Sequence, residues 1–193
     1  MQLLPLKSDD KKLPVIARIV GFTMTDGSIT VYNKSNSIIT QAGYNFGAEK
    51  DAEIFEDDIK LLGFGKNKIS ESIREVHKSV RHTYRVNHSS DLGNFLLALG
   101  ITPGKNTEVE RLPVPDWIMN GSKSVKKEFL AGFQGGDGCK VHYDIRQYTY
   151  TYGIGPTNQT INPKYADSLT YFMNQMIQLF EEFDIKTYLH TKT

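Results

Sequence analysis

The chain has 193 residues, 39% hydrophobic and 23% charged, with 23 Lys or Arg against 22 Asp or Glu and a formal net charge of +1. That length makes one domain or a tight pair of small ones and can bury roughly 70% of the unfolded surface, and the composition is far from that of a disordered chain. No run approaches the about 18 apolar residues of a membrane span, the opening MQLLPLKSDDKK lacks the features of a secretory signal, and a lone cysteine, Cys139, suits a reducing intracellular setting.

Pro14 opens a short helix in which Val15, Ile16, Ile19, Val20 and Phe22 leave Arg18 as the only charge, so the helix should be buried over most of its circumference. Gly27 is expected to stop it in a left-handed turn. Residues 28–33 then alternate, with Ser28, Thr30, Tyr32 and Lys34 sharing one strand face. A second strand over 38–46, an acidic helix over Glu49–Leu62, strand-like pieces over 66–76 and 79–87 and a helical run over 92–99 follow.

Residues 60–88 are basic: Lys60, Lys66, Lys68, Arg74, Lys78, Arg81 and Arg85 stand against Glu71 and Glu75, with Tyr84 interleaved. Such a run is usually a solvated face, but its strand setting favours phosphate and base-edge contact. His77, His82 and His88 have spacings that fit no common zinc pattern and read as exposed strand positions. Gly63-Phe64-Gly65-Lys66-Asn67 lacks the full pattern of a phosphate loop.

The opening grammar then recurs. Ser122 or Ser124 caps a helix carrying Val125, Phe129, Leu130, Ala131 and Phe133, which ends in Asp137-Gly138. A strand over 139–146 places Lys140, His142, Asp144 and Arg146 on one face, a parity shifted by one from the first copy, through a bulge or a one-residue offset. A strand over 148–154 with Tyr148, Tyr150 and Tyr152 on one face, a helix from 163 to about 183 with a core stripe, and a strand beginning at Ile185 complete the pattern. The division is a first half over 1–110, a linker over 111–124 anchored by Trp117, and a second half over 125–193 that stops as its third strand begins.

One Asp-Gly means only a turn; two in the same helix-to-strand setting, Asp26 and Asp137, 111 residues apart, mean more. Gly21 and Gly132, each five residues before its aspartate, would let the two helix backbones touch and bring both carboxylates together. Two adjacent carboxylates at helix C-termini repel, so either a pKa rises or a divalent cation is held. Hard Mg²⁺, bound through carboxylates and phosphate oxygens, points to phosphodiester chemistry.

Residues 130–138, LAGFQGGDG, resemble the signature of the LAGLIDADG homing endonucleases, and residues 19–27, IVGFTMTDG, are similar to a weaker first copy. The setting, LPVPDW before FLAGFQGGDG, resembles the endonuclease domains of inteins and related mobile elements. The resemblance implies an α+β fold of two pseudo-symmetric αββαββα-like halves with antiparallel saddle sheets on double-stranded DNA, the second half incomplete at its C-terminus. It implies a site-specific DNA endonuclease using Mg²⁺, with Mn²⁺ able to substitute. Asp26 and Asp137 would be the metal ligands, aided by the carbonyls of Thr25 and Gly136. A basic residue per half often assists; upstream of the second motif the candidates are Lys105 and Arg111, with Lys105 favoured. DNA contacts are expected from Ser28, Thr30, Tyr32, Lys34, Lys68, Arg74, Lys78, Arg81, Arg85, Lys140, His142 and Arg146. The chain should act as a monomer, away from membranes, unless a partner chain completes the second half. The alternative is a non-cleaving nucleic-acid-binding protein on this scaffold, an RNA maturase or a regulator.

Overall fold

The computed structural model describes residues 3–34, 37–76, 79–104, 108–138, 142–146, 149–153, 157 and 159–191. The fold is α+β. In chain order it runs α1 (Leu13–Thr23), β1 (Gly27–Lys34), β2 (Ser37–Phe46), α2 (Glu49–Leu62), β3 (Ser70–Val76), β4 (Ser79–His88), α3 (Ser90–Ala98), α4 (Asp116–Met119), α5 (Lys123–Asp137), β5 (His142–Arg146), β6 (Thr149–Gly153) and α6 (Ala166–Glu181), the last preceded by a 3₁₀ turn over Pro163–Tyr165. Among the described residues no helix is long and apolar enough to cross a membrane.

The first four strands form an antiparallel sheet in the order β1-β2-β4-β3. Its two faces differ sharply because side chains alternate. Ile29, Ala42, Tyr44, Phe46, Val86 and His88 point at the helices and are buried. Phe22 of α1 stacks on Phe46 at 5.1 Å between ring centroids, and Phe55 of α2 lies 4.3 Å from Tyr44. These rings join sheet to helices. β5 and β6 form a separate antiparallel pair, with Tyr143 opposite Tyr152 and Ile145 opposite Tyr150.

The expected burial of α1 holds: Leu13, Ile16, Ala17, Ile19, Val20, Gly21 and Thr23 are all buried. Its one charge is matched, since the Arg18 guanidinium grips Asp58 of α2 with two bonds, at 2.6 and 2.8 Å, and Glu128 of α5 at 2.6 Å. On α6, Phe172 and Met176 of the core stripe are fully covered. The Gln175 amide oxygen accepts from the Val114 backbone N–H at 2.8 Å and pins the connecting segment to α6.

Several expectations need correction. α1 ends without a left-handed glycine; Gly27 is required instead because a Cβ there would sit 2.6 Å from the Thr23 Cα and 2.9 Å from the Tyr44 ring. The left-handed stop belongs to α2, where Gly63 (φ 97°) donates to Lys60 and Phe64 to Ile59, closing the helix end. That glycine stretch is a helix terminator. β3 starts at Ser70 rather than near residue 66, and no strand starts at Ile185. There the Ile185 N–H turns back to the Phe180 carbonyl at 3.1 Å with Asp184 left-handed, which seals the end of α6 and turns the chain out of the helix.

Candidate functional site

α1 and α5 meet face to face, and glycine decides how closely. A Cβ on Gly21 would overlap the Phe129 carbonyl and lie 2.9 Å from the Phe133 nitrogen; one on Gly132 would overlap the Arg18 carbonyl and lie 3.0 Å from the Phe22 nitrogen. A displacement of 111 residues carries Arg18, Gly21 and Phe22 onto Phe129, Gly132 and Phe133. The two glycine contacts are therefore reciprocal, as across a two-fold axis.

The same displacement pairs Thr25 with Gly136 at the helix ends. A Cβ on Gly136 would collide with the Thr25 side chain, with its Cβ at 2.6 Å, and would lie 3.4 Å from the Asp26 nitrogen. The Thr25 hydroxyl donates to the Phe22 carbonyl at 2.9 Å, which fixes this corner. Asp26 and Asp137 thus flank a single point of contact between the helices.

Their electrostatics agree with that placement. Crowding by the helix ends lifts the Asp26 carboxyl above the ordinary carboxylate range, although the residue is exposed at its rim, and the charge of Asp137 lifts it further. Burial also raises Asp137, opposed by a hydrogen bond from Gln159 and by the charge of Arg111. The Asp26 carboxylate has no hydrogen-bond or ion-pair partner among the described residues.

Around Asp137 the chain builds a relay. The Gln159 amide N–H donates to Asp137 Oδ2, and its Oε1 accepts from Arg111 Nη2. Arg111 Nη1 donates to the Met24 carbonyl at the end of α1, at 2.9 Å, and the guanidinium lies 5.2 Å from the Phe172 ring centroid. Arg111 is only 9% exposed and its Nε has no partner among the described residues. Burial lowers its pKa, while Asp137 favours its charge. Of the two expected basic candidates, Arg111 is linked to Asp137 through Gln159 and Lys105 lies outside the described residues. Gln159 escaped the sequence reading because it belongs to no motif and reaches Asp137 only through tertiary packing.

Beside Asp26 a cleft of about 530 Å³ opens between α1, α2 and α5, lined by Asn45, Phe46, Asp51, Phe55 and Gln134 among others. No group of three or more His, Cys, Asp or Glu is placed to hold a metal ion among the described residues. Two carboxylates are what the protein offers. This suits Mg²⁺, which keeps several waters and completes its shell with phosphate oxygens.

The outer face of the sheet carries most of the expected contact residues. Ser28, Thr30, Tyr32 and Lys34 all point outward and are exposed. In register with this face lie Gln41, Asn45 and Asn87, and then Arg85, with Arg74 directly opposite Arg81. No carboxylate pairs with Arg74, Arg81 or Arg85 among the described residues. The acids are on the other face, where Glu71 takes a 2.7 Å bond from His82 and one of 3.2 Å from Tyr84. The basic run is thus not one surface: Lys60 ends α2, Lys66 pairs with Asp57 at 2.5 Å, and Lys68 is exposed in the loop before β3.

His88 corrects the expectation of exposed histidines, being 3% exposed with its Nε2 2.6 Å from Glu56 and its Nδ1 2.8 Å from Asn67. An even position on β4 faces the helices at this end of the strand, where α2 covers it. His77, Lys78 and Lys140 lie outside the described residues, and of His142 and Arg146 the structure describes only their place on β5.

The fold matches solved structures. The homing endonuclease I-DmoI in complex with DNA and Ca superposes with a TM-score of 0.54 at 13% identity, covering 94% of this chain and 78% of that one. I-WcaI, a homing endonuclease bound to its DNA recognition sequence, gives 0.51 at 14% identity, covering 91% and 78%. No family model matches the sequence. Among curated relatives, the tRNA-splicing ligase RtcB of Methanocaldococcus jannaschii is 30% identical over 202 residues, covering 97% of this chain and 20% of that protein. The RNA polymerase subunit Rpo1N of the same organism is 30% identical over 147 residues, covering 70% of this chain and 10% of that protein. Its replication factor C small subunit is 28% identical over 189 residues, covering 94% and 10%. The chain therefore spans a tenth to a fifth of the length of these relatives.

Proposed function

We propose that this chain, which has the fold of the LAGLIDADG homing endonucleases, is a divalent-metal-dependent endonuclease that cuts double-stranded DNA at a specific site and is carried as an insert in larger host proteins. The observation that carries the reading is the juxtaposition of Asp26 and Asp137 at a reciprocal glycine crossing, in a protein whose outer sheet face carries arginines with no carboxylate partner among the described residues. An RNA ligase, an RNA polymerase subunit and a replication factor share no named activity, yet each matches this chain over a small part of its length. A shared insert explains that pattern, and the ligase, polymerase and replication activities belong to the remainder of those proteins.

In this reading Asp26 and Asp137, with the Thr25 and Gly136 carbonyls, hold Mg²⁺ or Mn²⁺. Divalent metal held there would supply an activated water and charge stabilisation for the leaving 3′ oxygen. Arg111, fixed by Met24 and Gln159, sets a positive charge beside the reacting phosphate, and the outer sheet face docks the duplex. Incubating the protein with a randomised duplex library and Mg²⁺ should give cuts that vanish in Asp26→Asn and in Asp137→Asn. Cutting that survives both substitutions rejects the proposal.

A further inference from the structure

The two aspartates are related by the internal symmetry, but their surroundings are not. Asp26 is exposed and its carboxylate contacts no donor among the described residues. The Asp137 carboxylate gives Oδ2 to the Gln159 amide and feels the charge of Arg111. The relay behind it is stiff: Gln159 is tied to Arg111, and Arg111 to the Met24 carbonyl and the Phe172 ring. Arg111 is also too buried to swing into solvent. A cation approaching Asp137 must share an oxygen with an amide donor held by a fixed guanidinium, whereas no donor among the described residues occupies the Asp26 carboxylate.

We infer that Gln159 and Arg111 form a clamp that makes the two carboxylates unequal, so that a divalent ion settles first at Asp26 and a second enters at Asp137 only as the clamp yields. This rests on the reading that the two aspartates are metal ligands. Gln159 is here a positioning residue, acting through the Asp137 carboxylate.

The test needs no cleavage. Mn²⁺ alone is titrated into the full chain and free Mn²⁺ is followed by its electron paramagnetic resonance signal. Asp26→Asn should weaken the tighter ion about tenfold or more, the range seen when metal-site partners are lost, and Asp137→Asn far less. Gln159→Ala, at a half-buried position that leaves the core intact, should tighten the second ion by about the same factor. Gln159→Glu, a third carboxylate in place, should tighten it further. Arg111→Met should shift it in the same direction, with thermal unfolding checking that the variant is folded. Equal losses from the two aspartate variants, or an unchanged second ion in Gln159→Ala, overturn the clamp while leaving the metal centre standing. Absence of any bound Mn²⁺ in the unsubstituted chain overturns both.

Discussion

At the scale of single residues, Asp26 and Asp137 carry an electrostatic cost that the metal-free protein bears throughout its neutral range. Both carboxyls are lifted above their ordinary range, by burial first and, for Asp26, by its partner's charge. A carboxyl whose pKa is higher folded than unfolded binds its proton more tightly in the native chain. Its contribution is therefore fully present below the ordinary carboxylate range and is lost as pH rises through the raised value. Asp26→Asn, which keeps the shape and removes the charge, should then raise the thermal midpoint at pH 7 in the absence of metal. Because Asp26 is exposed at its rim and water screens its charge, the gain should be small. It should disappear below about pH 4, where the native aspartate is already protonated. Saturating Mg²⁺ should reverse the order, stabilising the unsubstituted chain and not the variant. A midpoint that falls in Asp26→Asn at neutral pH would show that the carboxylate contributes to folding rather than opposing it.

At the scale of elements, the α1–α5 crossing is where stability and function become the same variable. Replacing a helix-interior glycine by alanine ordinarily stabilises by about 1 kcal/mol. At Gly21 and Gly132 the sign reverses, because the added methyl meets the backbone of the opposite helix, which can yield only by moving as a unit. Gly21→Ala and Gly132→Ala should each cost about 1–3 kcal/mol in urea unfolding. The double variant should cost less than the sum, since the first methyl has already parted the helices. Both should also lose cleavage, as the aspartates separate. This crossing was legible in the sequence because it repeats: two copies of Gly-x₄-Asp, in matching apolar helices, state their own symmetry. The bounds of α2 were legible to the residue from its acidic run, while its glycine stop at Gly63 emerged only in the structure. What escaped depended on contacts between distant segments. Gln159 reaches Asp137 only through tertiary packing, with Thr157 and Gln159 each hydrogen-bonded to the last turn of α5. The burial of His88 follows from α2 lying across one end of β4, and α6 closes where Asp184 turns left-handed and Ile185 bonds back to Phe180. Local periodicity carries none of that information.

At the scale of the whole molecule, the formal net charge of +1 conceals a separation of charge. The β3–β4 hairpin sets Arg74 opposite Arg81 on the outer face and keeps Glu71, His82 and Tyr84 on the inner one. Like charges directly across a strand pair are unfavourable in the isolated protein. The arrangement becomes favourable when a polyanion lies along that face. Binding to a duplex should weaken linearly as log salt rises, with a slope of about −0.9 per neutralised phosphate. Arg74→Ala and Arg81→Ala should each flatten that slope by about one where the guanidinium contacts phosphate. Where it reads a base edge, the slope should hold and sequence preference relax. Glu75→Gln and His82→Ala, on the inner face of the same hairpin, should leave both slope and preference unchanged. Fluorescence anisotropy of a labelled duplex at several salt concentrations separates these cases, and equal effects from the two faces would place the nucleic acid elsewhere on the molecule.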